Sequence, residues 1–222
     1  MIKIVGISGS RIKDGNMDAL VGRALARLEQ YDDADGEMIS LADKDIQPCI
    51  HCNFCVRKQE EGRFCTHDDD MGIVYNAVLE ADGVIIGSPA HFGRLSGRTA
   101  DMIDRMRAFV HGNHYKARLK NKIGGAMAIS YFRGGGIETT LQSINIHFSA
   151  VQMIVASPTG HHRYQLGAGA FTTREGKGRF EKEIRHIVLE DDYGVASAEG
   201  LVDRMVELAR IVKAGEAALK AG

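Results

Sequence analysis

All four cysteines of the chain fall in one stretch, Cys49-x2-Cys52-x2-Cys55-x9-Cys65. Thiolates repeating at this short spacing can turn three sulfurs toward one centre, and a fourth arriving by a loop completes a four-thiolate cage. Zinc could use the same sulfurs or borrow His51 or His67, although three ligands at successive short spacings are an uncommon zinc pattern. Inert reduced thiols are a further reading, and disulfides do not suit a cytoplasmic chain. A second constellation lies near the start. The apolar run Ile2, Ile4, Val5, Ile7 ends in Ser8-Gly9-Ser10-Arg11, and a helical pattern begins at Asn16 or Met17. Strand, small-residue loop and helix in that order aim the positive end of a helix dipole into the loop. Free backbone N–H groups, the side chains of Ser8, Ser10 and Asn16, and the Arg11 guanidinium form a nest that suits a phosphate. A plain βα turn is the competing reading. No G-x-G-x-x-G follows the strand and no G-x-x-x-x-G-K-[ST] occurs, which excludes a Rossmann dinucleotide site and a P-loop.

The elements that must position these groups read as alternating strands and helices. Met17, Leu20, Val21, Ala24, Leu25 and Leu28 recur at helical spacing to about Gln30, and Glu37 to Leu41 reads as a second strand. Residues 43–67, the cysteine-bearing loop, break all periodicity. A helix with acidic residues 68–70 at its start carries Met71, Val74, Val78 and Leu79. Gly83 to Gly87 is a continuous apolar strand of the kind buried on both faces of a parallel sheet. It runs into Ser88-Pro89-Ala90-His91-Phe92-Gly93 and a helix with Met102, Ile103, Met106 and Phe109. Ile123 to Ile129 is a fourth strand, followed by Ser130 and Arg133-Gly134-Gly135-Gly136, then a helix with Leu141, Ile144 and Phe148. Met153 to Ala156 is a fifth strand, and Leu201, Met205, Leu208 and Val212 lie on a closing helix. Residues 157–196 form a long loop or lid with only a short helix over 180–189. The expected fold is α/β, a doubly wound five-stranded parallel sheet of order 2-1-3-4-5 in a single domain over 1–222. That order gathers the loops after strands one, three and four at one edge, which favours a ligand site over a plain turn.

Composition sets outer bounds. At 222 residues the chain suits one α/β domain and is short for two. A net charge of −1 gives no reason to expect nucleic acid or an anionic membrane as partner. No apolar run is long enough to cross a bilayer and no signal peptide is visible, so a cytoplasmic protein is expected. His111, His114, His161 and His162 lack zinc-hydrolase spacing and read as surface residues. Met102 and Met106 read as core, and Ser8 and Ser10 have no activating His and Asp.

In this order GISGSR…GN, PCIHC…C…C…DDM, GSPAHFG…SG…MIDR and RGGGIETT resemble the NADPH-dependent FMN reductase family, nearest its iron–sulfur flavoprotein branch. The resemblance covers roughly residues 2–160 and implies a flavodoxin-like fold. It implies FMN phosphate contacts at Ser8, Ser10, Arg11 and Asn16, with Met17 where a threonine hydroxyl is usual. It places Pro89, Ala90, His91, Phe92 and Gly93 beside the ring and ribityl chain, and Ser130, Arg133, Gly134, Gly135 and Gly136 around the ring. Thr99 and Ala100 replace a Leu-Lys pair. For Cys49, Cys52, Cys55 and Cys65 it implies a [4Fe–4S] cluster; the first three match the ferredoxin-type run, though there the next cysteine comes sooner. FMN-only relatives keep similar cysteines without a cluster.

The resulting expectation is an FMN-dependent oxidoreductase with a cluster, fed by NAD(P)H or a ferredoxin and assembled as a homodimer or homotetramer. An FMN-only NAD(P)H-dependent quinone or flavin reductase and a non-enzymatic flavodoxin-type carrier are the alternatives. A zinc-stabilised binding module is a third. The long segment with Tyr164, Phe171, Phe180 and Tyr193 argues against a carrier.

Overall fold

The computed structural model describes residues 1–160, 165–179, 181 and 183–221. β1 (Ile2–Ser8) is followed by α1 (Asn16–Ala26), a 3-10 turn at Arg27–Gln30, and β2 (Ala34–Ser40). The cysteine loop holds one short helix, α2 (Phe54–Arg57), and leads into α3 (Met71–Glu80). β3 (Gly83–His91), the two-residue β4 (Arg94–Leu95), α4 (Gly97–Arg105) and α5 (Arg107–Val110) come next. β5 (Ile123–Ser130), α6 (Ile137–Ala150), β6 (Ile154–Ala156), β7 (Ala168–Phe171) and α7 (Asp192–Ala221) complete the chain.

The main sheet runs β2-β1-β3-β5-β6, every neighbour parallel. This is the expected order once the small β4 is set aside. Alternation along the strands divides the core into two layers. Val5, Ile7, Val84, Ile86, Ala126 and Ala128 face the layer of α3, α4 and α6. Ile4, Ile85, Met127 and Ile129 face the layer of α1 and α7. Both faces are therefore covered, which is why the strands read as unbroken apolar runs.

Three features depart from the expectation. The fifth position in the sheet is filled twice, since β6 pairs with Ile123–Gly125 of β5 and β7 with Met127–Ser130. β7 lies inside the stretch read as loop. Its sequence, Ala168-Gly-Ala-Phe171, holds no β-branched residue to signal a strand. Second, β3 outruns the sheet and folds back on β4, with Phe92 at φ +51° and Gly93 at φ +79° as the two turn residues. Two consecutive positive φ values are the hairpin turn that matches strand twist, and phenylalanine adopts such a conformation only under strain. Third, α7 spans 30 residues and begins well before Leu201. The expected helix over 180–189 resolves, in its described part, to a 3-10 turn at Ile187–Glu190, with residues 180 and 182 outside the described residues. His161, His162 and Tyr164 also lie outside them, whereas His111 and His114 are exposed and Met102 and Met106 buried.

His147, buried on α6, has its imidazole pushed down from 6.5 to about 4 by burial. Between those values the unfolded chain takes up a proton that the native state refuses. This contribution to stability is full above about pH 6.5 and falls away as the pH drops toward 4. A His147→Leu variant should therefore lose less stability between about pH 7 and about pH 4.5 than the parent, by roughly 2–3 kcal/mol. Urea titrations at the two pH values measure this, and equal losses would refute it.

Candidate functional site

The β1–α1 loop leaves several donors idle. Ser8 is fully buried at the strand end, and its Oγ has no hydrogen-bond partner. Ser10 Oγ accepts from Ile12 N at 3.0 Å, which leaves its own O–H to donate. α1 begins after Gly15 without a side-chain cap, so its first N–H groups are open to an anion. Arg11 is exposed beside them. Asn16 Oδ1 accepts from Val188 N at 3.1 Å, which engages the amide oxygen. Met17 differs, because its side chain is wholly buried and its methyl lies 2.7 Å from where a Cβ on Gly87 would stand. Only the backbone of Met17 can face the loop.

A buried hydroxyl network joins this loop to the one after β3. Ser96 Oγ donates to Gly9 O at 2.7 Å and accepts from Thr99 N at 3.2 Å, capping α4. Ser88 Oγ accepts from Ser96 N at 3.0 Å and lies 3.0 Å from Thr99 Oγ1. A Cβ at Gly9 would lie 1.9 Å from Thr99 Oγ1, so the strand end and helix meet only because Gly9 has none. Thr99, which the resemblance marks only as a departure, is a member of this joint. Ser96 stands in the motif GSPAHFG…SG…MIDR without a role assigned to it, although serine before a helical pattern is a cap signal.

The third loop closes on the second. Gly136, at φ +100°, would place a Cβ 2.5 Å from Gly93 Cα, and Thr139 Oγ1 donates to Gly93 O at 2.5 Å. Ser130 Oγ donates to Phe132 O at 2.9 Å and leaves no room for a side chain on Gly135. From behind, Thr172 N donates to Ser130 O at 2.8 Å and Arg133 N to Gly176 O at 2.9 Å. Arg185 and His186 reach the first loop at Asp14. The segment after β6 thus braces two loops. Pro89 and Ala90 are half-buried, His91, Phe92 and Gly93 are exposed, and all three predicted groups share the carboxyl edge of the sheet.

The cysteines form a separate centre. Cys55 is buried on α2, Cys49 and Cys65 are half-buried, Cys52 is exposed, and all four are free thiols lining one cavity. Left-handed His51 and Asn53 turn the backbone between them. Gln59 pins the loop, with Nε2 donating to Phe64 O and Ala108 O and Oε1 accepting from His114 N and Tyr115 N. Beneath lies a buried ion pair, Arg105 to Asp69 at 2.8 Å, whose two side chains are 1% and 3% exposed. Asp69 also accepts from Gln47 N and Met71 N, so it ties both ends of the cysteine loop to the start of α3. Burial pushes the Cys55 thiol up, and the Arg107 charge opposes that rise. Three side-chain nitrogens lining the cavity have no partner: His67 Nε2, Arg105 Nε and Arg107 Nη1.

A loop with an orphaned hydroxyl, bare helix N–H groups and one arginine fits a phosphate monoester. Four thiols around one cavity with idle cationic donors fit an anionic multi-thiolate group. Among the described residues no three His, Cys, Asp or Glu side chains converge on a point that could hold one metal ion.

Fold and loops together define a flavodoxin-like flavoprotein. The NADPH-dependent FMN reductase family model matches residues 2–161, and the chain belongs to that family as an FMN-dependent oxidoreductase. An iron–sulfur flavoprotein of Methanocaldococcus jannaschii is 36% identical over 215 residues, covering 96% of this chain and all of the relative. A second iron–sulfur flavoprotein of that organism is 34% identical, covering 93% of this chain and 96% of the relative. Among solved structures, RosB with a bound 8-demethyl-8-formylriboflavin-5'-phosphate superposes with a TM-score of 0.74 at 14% identity, over 100% of this chain and 86% of RosB. No helix among the described residues is long and apolar enough to cross a membrane.

Asp69→Ala would leave Arg105 buried without its counterion. Urea unfolding should show a loss of about 3–5 kcal/mol; a loss under about 1 kcal/mol would mean that the pair is not buried as described.

Proposed function

We propose that this chain is an iron–sulfur flavoprotein, with FMN at the carboxyl edge of the sheet and a [4Fe–4S] cluster on Cys49, Cys52, Cys55 and Cys65. The observation that carries the reading is the shared cavity of the four thiols, together with its three unpartnered nitrogens. The M. jannaschii relatives' names support it. When bound, the flavin exchanges electrons in pairs with a nicotinamide and singly with a cluster, which lets one chain join two-electron to one-electron chemistry.

The protein's part is to bind and position. Ser8 Oγ, Ser10 O–H, Arg11, Asn16 Nδ2 and the N–H groups opening α1, including that of Met17, hold the phosphate. Pro89, Ala90, His91, Phe92 and Gly93 would contact the ring and ribityl chain, and Ser130 with Arg133, Gly134, Gly135 and Gly136 would lie around the ring. No side-chain acid or base is assigned, because the redox chemistry belongs to the cofactors. NAD(P)H or a ferredoxin serves as electron donor.

Anaerobic reconstitution followed by iron, acid-labile sulfide and flavin counts tests the whole reading. Four iron and four sulfide per chain beside one FMN is the expected result. FMN without iron would assign the chain to the FMN-only reductases, and zinc in place of iron would overturn the cluster. Cys52→Ala should abolish the iron and leave flavin bound; loss of flavin instead would mean that the loop shapes the FMN pocket. Ser8→Ala separates binding from folding. It should weaken FMN about tenfold or more while leaving the apoprotein as stable as the parent, since the hydroxyl has no partner to lose. Unchanged FMN affinity would remove Ser8 from the site.

A further inference from the structure

Arg107, the first residue of α5, lines the thiol cavity but differs from the other arginine there. The charge of Arg105 is matched by Asp69 at 2.8 Å. Arg107 donates through Nη2 to the neutral Asn53 Oδ1 at 3.1 Å, and its Nη1 is buried with no partner. Among the described residues no carboxylate pairs with it. Asn53 lies between Cys52 and Cys55, so the guanidinium is tied to the cysteine run itself.

Arg107 is half-buried as a whole, but a buried N–H is costly unless an anion or acceptor meets it. Neutral thiols offer little, since sulfur in a thiol is a weak acceptor. Four thiolates around an iron–sulfur core carry net negative charge, and their potential responds to charge and to hydrogen bonds at the sulfurs. Each electron delivered there adds one further negative charge and no proton, so a fixed cation nearby favours the reduced form.

We propose that Arg107 is the positioning residue that sets the cluster's reduction potential, its unpaired guanidinium supplying the charge and the N–H donor that hold the added electron. This rests on the cluster reading given above and goes beyond it, because it assigns the redox poise to one side chain outside the ligand set.

Arg107→Gln and Arg107→Lys decide it. Iron and sulfide are counted in anaerobically reconstituted protein, and the midpoint is read by dithionite titration followed by visible absorbance and electron paramagnetic resonance. Arg107→Gln should keep iron and sulfide at the parent's counts and shift the midpoint to more negative potential. A tenfold weaker reduction equilibrium, about 59 mV for one electron, is the expected scale. Arg107→Lys, which keeps the charge, should recover most of the shift. An iron-loaded Arg107→Gln with the parent's midpoint would overturn the inference and leave the cluster reading intact. Should Arg107→Gln fail to hold iron, an iron-bearing Arg107→Lys with a midpoint near the parent's supports the inference, and an iron-free one overturns it in favour of a packing role. Parent protein that takes up no iron and sulfide would overturn the cluster reading and the inference together.

Discussion

The cofactor edge depends on a few buried oxygens where two loops cross. Ser96 Oγ holds Gly9 O, Ser88 Oγ holds Ser96 N, and Thr99 Oγ1 fills the space that a side chain on Gly9 would need. None of the three hydroxyls reaches solvent, so each must find its partners inside the protein or be left unsatisfied. This requirement fixes the end of β1 against the start of α4 more firmly than apolar contact, which is non-directional, could do. The open donors of the β1–α1 loop inherit that rigidity. Ser8 Oγ, alone among the loop's side chains in being buried and unpartnered, reads as a group held ready for a ligand.

The cysteine loop is built on a different principle. It has almost no regular structure, and side chains tie it to the elements around it. Gln59 serves four backbone groups and Asp69 serves two, while Arg105 closes the floor. The aromatic stack of Phe64 between Tyr75 and Tyr115 packs the loop onto the core layer of α3 and α4. A loop held this way can keep four thiols around a cavity without drawing them to a point.

Much of this was legible in the sequence, for identifiable reasons. Strands buried on both faces announce themselves as apolar runs, and the switch-point rule then brings together Ser8–Arg11, Ser88–Gly93 and Ser130–Gly136 from three distant stretches. What stayed hidden depends on tertiary partners. β7 is a strand because β5 offers it an edge, and nothing in its small residues says so. The Ser96–Thr99 joint is invisible until Gly9 is seen to approach it. Met17 stood in the phosphate motif, yet its side chain is claimed by the core at Gly87. Asp69 was read with its neighbours as a helix start, a role it fills at Met71 N, but its pairing with Arg105 lies 36 residues away and leaves no local signal.

The central claim is that a monophosphate anchored at the end of β1 holds the flavin. Titrating deflavinated protein with FMN and with riboflavin tests it directly, because the two ligands differ only in that phosphate. FMN should bind at least about 100-fold more tightly, as two or more charge-assisted hydrogen bonds require. Equal affinities would contradict the account.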